Sequence, residues 1–210
     1  MKFRRFAPIA LTGLLLMVAI PAAHAGGGPL GIDHRPPFDD SGIWSRNVQL
    51  GLIYTMLATE GGIALWEGGD TRLGKTAWQA IDTTVFAGLA ATGAKLIFSR
   101  VRPEDANDPN LWFQGSGNES FPSGEATVTS AIVTPFVLEY GKDHPWVYAL
   151  EILPAYDAIA RVKTWGHWQT DVIAGLALGT TVGYFMHERE MPLILSVLPD
   201  GFRVGFSKRW

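Results

Sequence analysis

Five stretches of this chain, residues 47–66, 76–98, 125–140, 145–162 and 170–186, are apolar over lengths that no strand needs. Strands in globular proteins rarely exceed ~10 residues, so runs of this kind predict helices. Charges interrupt most of them: Glu60, Asp82, Lys95, Glu151, Asp157 and Asp171. A charge near the middle of a lipid-spanning helix is costly. A helical bundle with a thick core gives a similar pattern. The expectation is an all-α bundle, one domain over residues 45–190, leaning toward membrane integration with 170–186 as its best candidate span.

The two ends read differently. Lys2, Arg4 and Arg5 precede an apolar run over residues 7–20, and Ala23-His24-Ala25 places small residues where a signal peptidase cuts. Residues 1–25 are therefore expected to be an export signal. Residues 26–44, rich in Gly, Pro and Asp, read as an irregular lead-in. In the tail, residues 191–210, apolar runs around 193–198 and 202–206 flank Pro199-Asp200-Gly201. Asp-Gly between such runs predicts a short β-hairpin. That hairpin either closes the domain or, with Trp210 at its end, contacts an outer membrane or a partner.

The formal charge is −3, and losing the three cations of the leader makes it more negative. Nucleic-acid binding, which relies on cationic surface, is not expected. With no cysteine in the chain, thiolate metal sites and cysteine nucleophiles are excluded. A polar, Pro- and Gly-containing loop separates the second and third helices at residues 102–120, and long loops of this kind are often functional.

Three clusters carry the chemistry. Lys95, Arg102 and Pro103 close the second helix. A continuing helix would put the two cations two turns apart on one face, with Pro103 as its stop; cations at a helix C-terminus also have an ordinary dipole explanation. Phe121-Pro122-Ser123-Gly124-Glu125 precedes the third helix. Ser123 suits an N-cap, Gly124 admits close backbone approach, and helix N-termini bind phosphate; an ordinary capped start looks the same. Arg161, His167 and Asp171 form the third cluster. An aspartate beside a histidine fixes its tautomer and raises its basicity, although a lone histidine near an apolar helix is more often structural.

In order and separation, the three clusters together resemble the signature of the PAP2 (type 2 phosphatidic acid phosphatase) superfamily. That signature is Lys, six residues, Arg-Pro; then Pro-Ser-Gly-His; then Ser-Arg, five residues, His, three residues, Asp. Lys95, Arg102 and Pro103 match the first part, Pro122, Ser123 and Gly124 the second, and Arg161, His167 and Asp171 the third. Glu125 stands where the family has histidine, and Ala160 where it has serine. The resemblance covers residues from about 50 to 187 and implies a bundle of the PAP2/haloperoxidase type.

The resemblance also implies roles. His167 would attack phosphorus, with Asp171 orienting it. Lys95, Arg102 and Arg161 would bind phosphoryl oxygens, joined by Ser123 and the Gly124 N–H. No metal or cofactor is needed. Glu125 would be a weaker general acid than histidine, or would pair with Arg102 or Arg161. The implied activity is phosphatase action on a phosphorylated lipid, such as a polyprenyl diphosphate or phosphatidic acid, at the periplasmic side of an inner membrane. Three alternatives stay open: a soluble broad-specificity periplasmic acid phosphatase acting on small phosphate esters, a vanadium haloperoxidase-like enzyme, and a non-catalytic phosphate- or lipid-binding relative. Oligomeric state has no signal in the sequence.

Overall fold

A computed structural model describes residues 26–189 and 192–194. The export signal and nearly all of the expected hairpin fall outside those residues; Leu193 and Ile194, placed in its first strand, are helical. After a 3₁₀ turn at Gly42–Trp44 come α1 (Arg46–Glu67), α2 (Arg72–Phe98) and α3 (Gly124–Tyr140). A 3₁₀ segment, Pro145–Glu151, leads into α4 (Ile152–Lys163), and α5 is Gln169–His187. The described residues form an all-α bundle, with a lone bridge between Gly27 and Asp33 outside the helices.

The one helix expected over 145–162 is divided in two. Pro154 explains the restart at Ile152: its missing N–H is harmless in a first turn but would break a continuous ladder. α2 starts a turn earlier than expected, because Thr71 Oγ1 accepts the Gly74 N–H at 2.9 Å and caps it.

α3 lies at the centre and touches every other helix. Its closest neighbour is α5, whose Gly175, Gly179 and Gly183 recur every four residues and so line one face. A Cβ at Gly175 would sit 2.4 Å from Ser123 O, one at Gly179 2.1 Å from Ser130 Oγ, and one at Gly183 2.8 Å from Thr134 Cβ. The facing hydroxyls bond to their own helix, Thr127 to Ser123 O at 2.7 Å, Ser130 to Ala126 O at 2.8 Å and Thr134 to Ser130 O at 2.7 Å. Burying them therefore leaves no donor unpaired. Met56, Ile132, Val133, Val137 and Val147 fill the core between α1, α3 and the 3₁₀ segment.

The best membrane candidates differ from the expected one, because the polar start and the glycines and threonines of residues 170–186 hold their mean hydropathy down. Residues 170–186 spend their small-residue face on α3. Among the described residues, α1 and α2 are the helices long and apolar enough to cross a bilayer, each with mean hydropathy 1.3. Only 28% and 22% of those stretches is buried. Tyr54, Leu65, Trp66, Phe86, Leu89 and Ile97 stand exposed on them.

Glycines on the two kinds of surface should respond oppositely. Gly179→Val should lower the melting temperature, by the equivalent of about 1–3 kcal/mol or more, because the Thr127 carbonyl cannot yield. Gly62→Ala on exposed α1, with nothing within 4 Å, should be neutral or stabilising by about 0.5–1 kcal/mol. Thermal unfolding followed by circular dichroism compares the two.

Candidate active site

The first cluster is built around the end of α2. Ser99 takes the left-handed conformation (φ 39°) and ends α2 at Phe98, before Pro103. Lys95 thus stands on the last turn, while Arg100 and Arg102 lie on an irregular segment that pairs with the following loop. There Val101 N–H donates to Leu111 O at 3.0 Å and Ser120 N–H to Arg100 O at 2.9 Å. Lys95 Nζ donates to Glu119 O at 2.5 Å. Arg102 donates to Gly166 O at 3.3 Å, which brings the first cluster to the third.

The starts of α3 and α5 abut, since Ser123 N–H donates to Asp171 O at 2.9 Å. Ser123 is the N-cap of α3, as expected, and is wholly buried. Beside it, a Cβ at Gly124 would meet only Lys95 Cε, at 3.5 Å. In the third cluster, the N–H groups of Gly166 and His167 both donate to Arg161 O, at 3.0 and 3.2 Å. A Cβ at Gly166 would lie 2.0 Å from Arg161 Nη2, so a side chain there would displace the guanidinium. The guanidinium of Arg161 therefore packs flat against the turn that carries His167.

His167 precedes α5 and does not lie on it; Asp171 occupies the third helical position. The two still meet, with His167 Nδ1 3.8 Å from Asp171 Oδ2. That is an ion-pair distance and not a hydrogen bond, and Nδ1 is buried with no other hydrogen-bond partner. Asp171 is held on three further sides: Oδ2 accepts from Ser120 Oγ at 2.5 Å and from Trp168 N–H at 2.9 Å, and Oδ1 from Arg100 Nη1 at 2.5 Å. Burial pushes the His167 imidazole down to about 4; Asp171 opposes this, while Arg161 and Lys95 add to it. Burial works against the Asp171 charge, but His167, Arg100 and Ser120 outweigh it and keep the carboxyl below its usual range. At neutral pH the site thus pairs a neutral imidazole with a carboxylate.

Glu125 takes a partner that its place in the sequence does not single out. Arg46, at the start of α1, holds it in a fork at 2.5 and 2.6 Å. Arg161 Nε is 3.7 Å away. Burial favours the neutral acid, but the Arg46 hydrogen bonds and the charges of Arg161 and Arg46 prevail, so the carboxyl sits below its usual range. Gln49, fully buried, accepts from both Arg46 and Arg161 at 3.2 Å and links the pair. Asp157, one turn before Arg161, is buried with neither oxygen hydrogen-bonded, and burial together with the Glu125 charge pushes it up to about 7.

Arg100 and Asp33 are further members of the site that motif spacing does not reach. Arg100 stands two residues before Arg102 in the same cluster, and that adjacency is its only signal in the sequence. Asp33, in the irregular lead-in, has none. Lys95, Arg102, Ser123, Gly124, Glu125, Arg161, His167 and Asp171, from separate parts of the chain, converge on this one end of the bundle.

The chain matches the PAP2 superfamily over residues 76–191. It is similar to lipid A 1-phosphatases from Porphyromonas gingivalis (32% identity over 50% of this chain and 21% of that protein) and Rhizobium johnstonii (36% over 57% and 51%). A third, from Rhizobium etli, is 32% identical over 57% of this chain and 53% of its own length. The match spans about a fifth of the first relative and about half of the other two. No solved structure matches the chain.

Because its pKa is depressed on folding, Glu125 should stabilise the protein above the usual glutamate range, and that contribution should be lost as pH falls through the folded pKa. Glu125→Gln should therefore melt lower than the parent at pH 7, with the gap closing as pH drops below about 4. Melting curves of both proteins from pH 3 to 8 measure this directly.

Proposed function

The chain belongs to the PAP2 superfamily, and on that premise we propose that it is a phosphatase of phosphorylated lipids, with His167 as the nucleophile. The observation that carries this reading is a buried neutral imidazole set against a carboxylate, with Lys95 and Arg161 acting on it. A neutral imidazole has the lone pair that a nucleophile needs.

In this reading, His167 Nε2 forms a bond to phosphorus as the bond to the leaving oxygen breaks. Positive charge develops on the ring, and Asp171 stabilises the proton on Nδ1. Lys95, Arg102 and Arg161, with the Gly124 N–H and Ser123, neutralise the phosphoryl oxygens; in phosphoryl transfer, positioning and charge stabilisation of this kind supply most of the catalysis. Water then attacks phosphorus, the N–P bond breaks, phosphate leaves and the imidazole returns to neutral. No metal enters this scheme.

Glu125 is ionised and clamped by Arg46, so it has no proton to give in the resting site. Unassisted departure favours leaving groups that are stable as anions. A phosphoanhydride, such as a polyprenyl diphosphate, meets that demand better than an alkyl phosphate. The relatives are named for a phosphorylated lipid, and two exposed apolar helices suit a membrane-associated enzyme. Action on the periplasmic side of the inner membrane follows if the leader directs export.

The test is phosphate release by purified protein, without added metal, from a polyprenyl diphosphate, phosphatidic acid and an aryl phosphate. Release is expected to be fastest from the diphosphate. It should fall by about 10³-fold or more in His167→Ala, and an acid-labile phosphoenzyme should form only in the parent. Equal rates in parent and variant would overturn the histidine mechanism. Tight binding of all three compounds without turnover would move the assignment to a binding protein, a reading that the clamped Glu125 favours.

A further inference from the structure

Arg100 is fully buried, with side-chain exposure of 0%, and so are both carboxylates it joins. Nη2 donates to Asp33 Oδ2 at 2.6 Å and Nη1 to Asp171 Oδ1 at 2.5 Å. The fork continues to Thr170 Oγ1 at 2.8 Å and to Pro109 O at 2.6 and 3.1 Å. The guanidinium also stacks 4.3 Å above Trp112.

Asp33 is built in as tightly. It accepts the Thr170 N–H at 2.8 Å and the Thr170 hydroxyl at 2.6 Å, and so caps the first turn of α5. Its own segment is pinned to the junction of α4 and α5. His34 N–H donates to Gln169 Oε1 at 3.0 Å, Gln169 Nε2 to His34 O at 2.9 Å, and Trp165 Nε1 to Pro36 O at 2.8 Å. Arg35 lies 3.7 Å over the Trp165 ring. The lead-in is therefore tied to the turn that carries His167.

We infer that Arg100 and Asp33 are positioning residues that act through Asp171, fixing where its carboxylate faces His167. With Oδ1 taken by Arg100 and Oδ2 by Ser120 and Trp168, the carboxylate cannot rotate, and His167 is left the one approach at 3.8 Å. Asp33 keeps the guanidinium from turning wholly toward Asp171. This inference rests on His167 and Asp171 being the reacting pair.

Removing the cation should change His167 in a definite direction. The charges acting on it are Asp171 from α5, Arg161 from α4, Lys95 from α2 and Glu125 from α3. Arg100 acts on it through Asp171, whose charge it stabilises. Without Arg100, the Asp171 charge is less neutralised, so the imidazolium is favoured and the His167 titration moves upward.

The experiment uses the full protein with Arg100→Gln, Asp33→Asn and Arg100→Lys, read by histidine NMR titration and by steady-state phosphate release. Arg100→Gln should raise the His167 pKa and lower kcat on the order of 10–100-fold with little change in KM. Arg100→Lys should restore part of both, and Asp33→Asn, which frees the guanidinium to turn toward Asp171, should lower kcat by less and move the His167 titration downward. If Arg100→Gln fails to fold, Asp33→Asn decides. Unchanged His167 titration and kcat in a folded variant, with only a lower melting temperature, would overturn the inference and leave a structural ion pair. If the parent shows no turnover while the titration still shifts, the positioning role stands and the reading as a phosphatase fails.

Discussion

A guanidinium without solvent contact, shared by two carboxylates, is a demanding thing to bury. Each ion gives up several kcal/mol of hydration, and only near-ideal geometry offsets that loss. At Arg100 the geometry is met: every contact is charge-assisted or to a carbonyl, and an indole covers one face. Removing one partner from such a group typically costs about 3–5 kcal/mol, because the survivors stay buried and unpaired. The end of α2, the start of α5 and the lead-in are thus locked to one another through this one side chain. Those are the elements that set out Lys95, Asp171 and the turn bearing His167.

The rest of the bundle lets this end be rigid. The glycine face of α5 against the hydroxyl face of α3 brings two helix axes close, and their N-termini arrive side by side. Close packing through small residues needs no large apolar core between the helices, which fits bundles whose outer surface is itself apolar. The bulky residues of α1 and α2 are consequently free to face outward, where Leu65, Trp66, Leu89 and Ile97 stand.

Much of this was legible in the sequence because the signals were local. Helix lengths, the Ser123 cap and the clustering of Lys95, Arg161, His167 and Asp171 depend on neighbours a few turns away or on motif spacing. What escaped depended on distant partners. Asp33 and Thr170 are 137 positions apart, and Arg46 and Glu125 are 79 apart. The helix bearing Lys95 ends at Phe98, where its apolar run stops, but the stop is Ser99 in a left-handed conformation that is uncommon outside glycine and the Asx residues, so Arg102 does not lie two turns further along the same face. The choice of 170–186 as the best span overlooked its polar start and its glycines and threonines, which hold its mean hydropathy below that of α1 and α2.

The substitution at Glu125 has consequences beyond one residue. A carboxylate beside Arg161 would repel an arriving phosphate if it stood alone. Arg46 cancels that charge, and Gln49 fixes the distance between the two arginines. Asp157 is also close, but its raised pKa leaves it about half protonated at neutral pH and largely uncharged below it, so its repulsion is reduced. The effect is that Arg161 keeps part of its positive field for a ligand although a glutamate touches it. The same clamp withholds a proton from the leaving group. On the proposed mechanism, electrostatic tolerance of Glu125 and weakness in acid catalysis would be two results of one ion pair, and the preferred leaving groups would be those that depart without help.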